Sequence, residues 1–438
     1  MASDDPLPET SPYLDPQNIA FGQQFAALLP AGKQLTDIPI AQAREVFGKA
    51  QARTPDPRVS VTDFLVPTSF GEVKTSLYKP REHDSSDQDL PLIFYLHGGG
   101  WFLGDAFDYE PIVDDLVVRT GFAVVFPEYT LAPERQFPAQ QEQCLQVLEY
   151  IVQNGSSRGV KTDRLVIVGD SAGAQLATAL AVLTRERELK LKIVHQVLLH
   201  PVVNLLSFGD TFSEFEFQNG PLISNAFIQE AATAFIPTVS DRSTITASPA
   251  LMTASQLAEF MPPTTIVTAG ADWLRDEGEK FAQQLQTAGV ECGVVRGIAC
   301  LHDAEVFVVS RKSPTAKLVM IMVAGKLREV LLGPSRCFPF WQEVLACYVV
   351  NTNAEDESGK HKCKPALEDY YECLHHKKEA AKISALQAAY RRREAETPRD
   401  QAPSAGQIRS LGLLDRKDEE VDIKAAAVLP KYEANLQK

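Results

Sequence analysis

The sequence predicts an α/β protein with a doubly wound, mostly parallel sheet, followed by a small helical hairpin. Three observations carry that expectation. Short unbroken apolar runs alternate with segments of helical spacing. A glycine-flanked serine stands where one such run meets a helix. Four cysteines near the C-terminus repeat a single spacing.

The apolar runs come in order. Residues up to about Arg58 carry two short helical patterns, one with Phe21, Phe25 and Leu28, the other from Ile40 to Phe47. They could cover a pocket formed later in the chain or stand as a solvated arm. Val59 to Lys79 reads as two strands about a turn at Ser69-Phe70-Gly71. Pro91–Leu96, Phe122–Phe126, Leu165–Val168, Val197–Leu199, Thr265–Thr268 and Cys292–Val295 are the remaining strands. Most are unbroken apolar runs, as strands buried on both faces are. Helices follow several of them, ending with Pro314–Leu332, and right-handed crossovers then give a parallel sheet.

Composition sets the outer limits. The 438 residues exceed one ordinary core, which implies a large domain and a smaller one. The net charge of −14 argues against a nucleic-acid partner. From Gly333 onward there are 17 basic and 17 acidic residues, so all of that excess charge lies before it. No apolar run is long enough to be a transmembrane segment. The acidic start, Met1-Ala2-Ser3-Asp4-Asp5-Pro6, has the layout of neither a secretory signal nor a mitochondrial presequence.

Gly169-Asp170-Ser171-Ala172-Gly173 follows the Leu165–Val168 strand and opens an Ala/Leu-rich helix. This is the pattern of a nucleophile elbow, in which glycines make room for a strained serine. A serine hydroxyl needs a base, and the base needs an acid to hold its tautomer. Asp272 and His302 each follow a strand and come in the order acid, then histidine. Of the eight histidines, His97 belongs to a glycine loop, His195 and His200 precede the acid, His83 lies in a polar loop, and His361, His375 and His376 belong to the C-terminal part, which leaves His302. Asp276 is the runner-up for the acid. Gly98-Gly99-Gly100 follows a buried strand and suits an oxyanion hole, assigned to the N–H groups of Gly98, Gly99 and Ala172. Trp101 and Phe102, with Phe212, Phe215 and Phe217, are candidate pocket residues. The chemistry requires no metal and no cofactor.

Four stretches, in this order, resemble the hormone-sensitive-lipase-like family of α/β-hydrolases over about residues 15–332: His97-Gly98-Gly99-Gly100-Trp101, Tyr129 to Ala139, the elbow, and Asp272 to Gly278. The resemblance implies hydrolysis of a small acyl ester through an acyl-enzyme, without metal, under a helical cap. Its acid matches Asp272 and its base His302. One departure is local: His302 is followed by Asp303-Ala304-Glu305. The expected layout is an N-terminal cap segment at 1–58 and a hydrolase domain at 59–332, with a cap insertion at about 206–250.

Cys337 and Cys347, like Cys363 and Cys373, stand ten positions apart. On two antiparallel helices this brings Cys337 near Cys373 and Cys347 near Cys363, a hairpin pinned by two disulfides over 333–398. Zinc ligands are usually spaced more closely. The twin spacing resembles coiled-coil-helix proteins of the mitochondrial intermembrane space. The words Arg336 to Gln342 and Glu368 to Lys377 are similar to those of an accessory subunit of fungal respiratory complex I, over about 333–415. That implies a structural role among complex I subunits at the inner-membrane periphery, whereas the hydrolase part reads as cytoplasmic. A charged tail spans 399–438. The two parts sit awkwardly together, and a join of two neighbouring genes is one reading. The rival functional reading is a non-catalytic complex I subunit carrying an inert hydrolase domain.

Overall fold

The computed structural model describes residues 14–51, 55–84, 88–333, 338–351 and 358–377, with positions 380, 381 and 384. It divides at residue 334 into two units.

The first unit is an eight-stranded sheet between helices. The strands are β1 (Val59–Thr68), β2 (Gly71–Pro80), β3 (Leu90–Leu96), β4 (Ala123–Pro127), β5 (Val160–Asp170), β6 (Ile193–Leu199), β7 (Thr264–Ala271) and β8 (Cys292–Leu301). Their order is β1-β2-β4-β3-β5-β6-β7-β8. The β1–β2 hairpin and its β2–β4 junction are antiparallel, and the other pairings are parallel. The centre of the sheet is apolar on both faces: Leu92 to Leu96 and Leu165 to Val168 are fully buried.

The helices of this unit are α1 (Pro16–Leu28), α2 (Ile40–Ala50), α3 (Ala106–Thr120), α4 (Ala139–Asn154), α5 (Ala172–Glu186), α6 (Phe212–Glu216), α7 (Asn225–Phe235), α8 (Ala254–Phe260), α9 (Arg275–Thr287) and α10 (Pro314–Leu332). α3 is not among the helices expected from the sequence. Its Tyr109, Ile112, Val113, Leu116 and Val117 form a helical stripe, but Pro111 interrupts the pattern.

The N-terminal helices do not stand out in solvent. The Asp15 N–H donates to the Ala299 carbonyl, and Asn18 Oδ1 accepts the Leu301 N–H at 3.0 Å, which ties α1 to β8. Arg44 of α2 donates to the Phe102 and Ala132 carbonyls at 2.8 and 3.0 Å and pairs with Glu134.

The second unit contains α11 (Phe338–Asn351) and α12 (Lys364–His375), joined by a disulfide between Cys347 and Cys363 with Cα atoms 5.6 Å apart. Cys373 is disulfide-bonded too. Cys337, the other end of the second expected bridge, lies outside the described residues, as does the 399–438 tail. No described helix is long and apolar enough to cross a membrane.

Candidate active site

Ser171 ends the turn from β5 into α5 with φ 50° and ψ −117°, a conformation disfavoured for any residue with a Cβ. The turn closes only with glycine at its flanks. A Cβ on Gly169 would run into the Gly173 carbonyl, and one on Gly173 into the Leu96 carbonyl. The Ser171 N–H donates to the Leu199 carbonyl at 2.8 Å, which fixes the turn to β6. The Oγ then stands beside the N-terminus of α5, where free N–H groups favour negative charge.

Three residues far apart in sequence meet there. His302 Nε2 lies 2.9 Å from Ser171 Oγ, and His302 Nδ1 lies 2.9 Å from Asp272 Oδ2. Asp272 also accepts the Leu274 N–H at 3.0 Å. All three side chains are buried. Burial alone would raise the Asp272 carboxyl, but the charges of His302 and His200 and these hydrogen bonds outweigh it, so it is held below the ordinary range. Asp276, the runner-up acid, is engaged elsewhere: it pairs with Arg275 at 2.7 Å and accepts the Ser213 N–H at 2.8 Å.

The glycine loop corrects one expectation. Gly98 is not a free oxyanion donor, because its N–H donates to Asp170 Oδ2 at 3.0 Å. Tyr95 donates to the other oxygen of that carboxylate at 2.7 Å, and the Tyr129 hydroxyl braces the His97 carbonyl at 2.8 Å. Burial pushes Asp170 up to about 6. Among the described residues, the N–H groups of Gly99, Gly100 and Ala172 have no protein acceptor.

The aromatic candidates are corrected as well. The Trp101 indole stacks on Phe235 at 4.5 Å and donates to Gln175, and Phe102 packs against Phe227 at 5.6 Å. Neither lines the space beside Ser171. Phe212 and Phe215 are exposed, and Phe217 lies buried near the Arg275 guanidinium. The chamber at Ser171, about 30 Å³, is walled instead by Phe25, Leu35, Phe47, Leu103, Leu222, Ile223, Phe227 and Phe307. Phe25, Leu35, Leu222 and Phe227 also face an apolar groove of about 400 Å³ along α1. The sequence signal for these walls is the pair of N-terminal helical patterns, Phe21 to Leu28 and Ile40 to Phe47, expected as a possible cover for a later pocket.

Behind Asp272 lies a residue set aside by the sequence reading. His200 Nδ1 is 3.7 Å from Asp272 Oδ2, and its Nε2 is 2.7 Å from Glu305 Oε2. His200, Asp272 and His302 bring ligand-type atoms within 4.8 Å of one another. His302 bridges Asp272 and Ser171 by hydrogen bonds, while His200 is hydrogen-bonded to Glu305 and stands beside Asp272.

Comparison with known proteins points the same way as the geometry. Residues 93–306 match a family model described as the alpha/beta hydrolase fold. An esterase of Gibberella moniliformis is 34% identical, over 72% of this chain and 98% of its own. The ethyl acetate hydrolase of Pseudomonas putida is 27% identical, over 68% of this chain and 91% of its own. The crystal structure of carboxyl esterase 2 from Tuber melanosporum superposes with a TM-score of 0.65 and 29% identity, covering 73% of this chain and 99% of that one.

Proposed function

Since the chain belongs to the alpha/beta hydrolase fold family and is a carboxylesterase-like hydrolase, we propose that Ser171, His302 and Asp272 are its catalytic triad. The observation that carries this reading is the unbroken hydrogen-bonded chain from Ser171 Oγ through the imidazole to Asp272. As Oγ attacks the ester carbonyl, His302 Nε2 takes its proton and then gives it to the leaving alkoxide. Asp272 holds the ring and stabilises the imidazolium. The acyl group rests on Ser171 until water, activated by the same nitrogen, releases the acid. The N–H groups of Gly99, Gly100 and Ala172 receive the oxyanion, each worth about 3 kcal/mol in the transition state.

The substrate we propose is a short-chain acyl ester with a larger apolar alcohol. A chamber of about 30 Å³ at Ser171 suits a small acyl group, and the neighbouring groove of about 400 Å³ suits the larger part. The name of one relative, an ethyl acetate hydrolase, agrees with a short acyl group. The residue ranges 1–58, 59–332 and about 206–250 are proposed as the N-terminal cap, the hydrolase domain and the cap insertion. The test is covalent. A fluorophosphonate probe labels the wild type and leaves Ser171→Ala unlabelled; a wild type that resists the probe overturns the reading.

For residues 333–398 we propose a non-catalytic hairpin that docks on other proteins. Its support is the Cys347–Cys363 bridge and the equal spacing of its cysteines. The resemblance to a respiratory complex I accessory subunit is the narrower form of this proposal. Co-migration of the full chain with complex I on native gels supports it. A chain that never enters that complex, or a tryptic map of the cellular protein that stops before Arg336, overturns it.

A further inference from the structure

The one departure from the family pattern, Asp303-Ala304-Glu305 after His302, has a counterpart elsewhere in the chain. His200 follows β6 with φ 48°, a left-handed backbone disfavoured in a residue with a Cβ. That strain turns its side chain into the space behind Asp272. His200 is 1% exposed and Glu305 is 1% exposed, so their 2.7 Å contact is shielded from water. The other ring nitrogen, Nδ1, has no hydrogen-bond partner among the described residues and lies 3.7 Å from Asp272 Oδ2. The His200 and His302 rings are 5.5 Å apart, and each turns its Nδ1 toward the same oxygen, Asp272 Oδ2.

The charged groups facing His200 come from every strand end around it. Asp170 comes from β5, Asp272 follows β7, and His302, Asp303 and Glu305 follow β8. All are buried. Four carboxylates in one buried space cannot all stay ionised without a cation among them. Burial pushes the Asp303 carboxyl well up, helped by the charge of Asp170. Burial alone would lower His200, but Glu305 and Asp303 outweigh it and its net direction is upward.

We propose that His200 is a positioning residue: held as an imidazolium by Glu305, it draws on Asp272 from behind. The Asp272 charge is then divided between two imidazoles, and the pH at which catalysis switches on is set lower than an undivided carboxylate would set it. This rests on the triad reading above. The acidic residues after His302 thereby acquire a role, since Glu305 supplies the counter-charge that keeps His200 protonated.

The test is the pH dependence of kcat/KM for p-nitrophenyl acetate with the full chain. His200→Gln and Glu305→Gln each remove the second cation from Asp272, so in both the acid limb moves upward by about one pH unit. A merely structural role lowers the yield of active enzyme and leaves the limb in place. An unmoved or downward-moving limb overturns the proposal. Fluorophosphonate stoichiometry at alkaline pH counts competent sites, so a wild type that fails to label indicts the triad instead. A measurement on the unmutated protein stands apart from folding of the variants. Ring-nitrogen NMR of its eight histidines at pH 7.5 shows His200 carrying both protons, and a neutral His200 overturns the proposal.

Discussion

The two units reach order by different means. In the first, the site is assembled by contacts of very long range. Ser171 and His302 are 131 positions apart, Gly98 and Asp170 are 72 apart, and each pair is buried. Removing any one partner leaves the other stranded in a low-dielectric interior. In the second unit, the described order rests on a bridge closing a separation of 16 residues. Among the side chains described there, Val344 and Cys363 are buried, while Leu345, Val350 and Tyr371 are exposed. A sheet with a large core can hold strained backbone such as that at Ser171 and His200. A hairpin with almost no core needs a covalent staple.

The contrast can be broken in several places. Ser171→Ala is expected to lower kcat by about four orders of magnitude or more, with the circular dichroism of both units unchanged. A variant that keeps a tenth of the activity would show that the nucleophile lies elsewhere. Gly98→Ala should lower kcat by about 100-fold and destabilise the first unit by about 2 kcal/mol. A Cβ there meets Asp170 Oδ2 and, at 2.9 Å, the Asp170 carbonyl, so the loop must move away from the elbow. Steady-state kinetics and urea denaturation check the two effects.

The third prediction concerns the staple. Replacing Cys347 and Cys363 with serine should cost the hairpin about 3 kcal/mol. Limited proteolysis would then cut within 338–375 while esterase activity changes less than about twofold. A parallel loss of activity would refute the independence of the two units. The smallest effect is one of pH. The Asp170 carboxyl is raised by burial, so it favours the fold fully below its ordinary value of 3.8 and loses that contribution as pH rises through about 6. Between those values the first unit's melting temperature should fall by a few degrees, and Asp170→Asn should flatten the slope. Asp272, held low, works in the opposite sense: its contribution is present above the ordinary carboxylate range and fades as pH falls through its lowered value.

Much of the fold was legible because it is written locally. Short strand runs located β3 to β8, and the turn at Ser69-Phe70-Gly71 located the β1–β2 pair. The elbow was readable because only glycine can stand two positions either side of a serine at φ 50°. His302 was reached by elimination among eight histidines and Asp272 by its place after a strand. Trp101 and Phe102 misled because an aromatic residue next to a glycine loop has the same local sequence whether it faces a ligand or packs on Phe235 or Phe227. Gly98 misled because its donor is consumed by a carboxylate 72 positions away.

The chain's own order of residues therefore determined the strands, the elbow and the succession of serine, acid and histidine, since these follow from periodicity, steric size and position along one segment. Tertiary structure alone decided which amide donors stay free, which side chains wall the chamber, and that His200 and Glu305 stand behind Asp272. Those outcomes depend on which distant groups compete for the same buried hydrogen bond or the same space, and local sequence carries no record of the competitor.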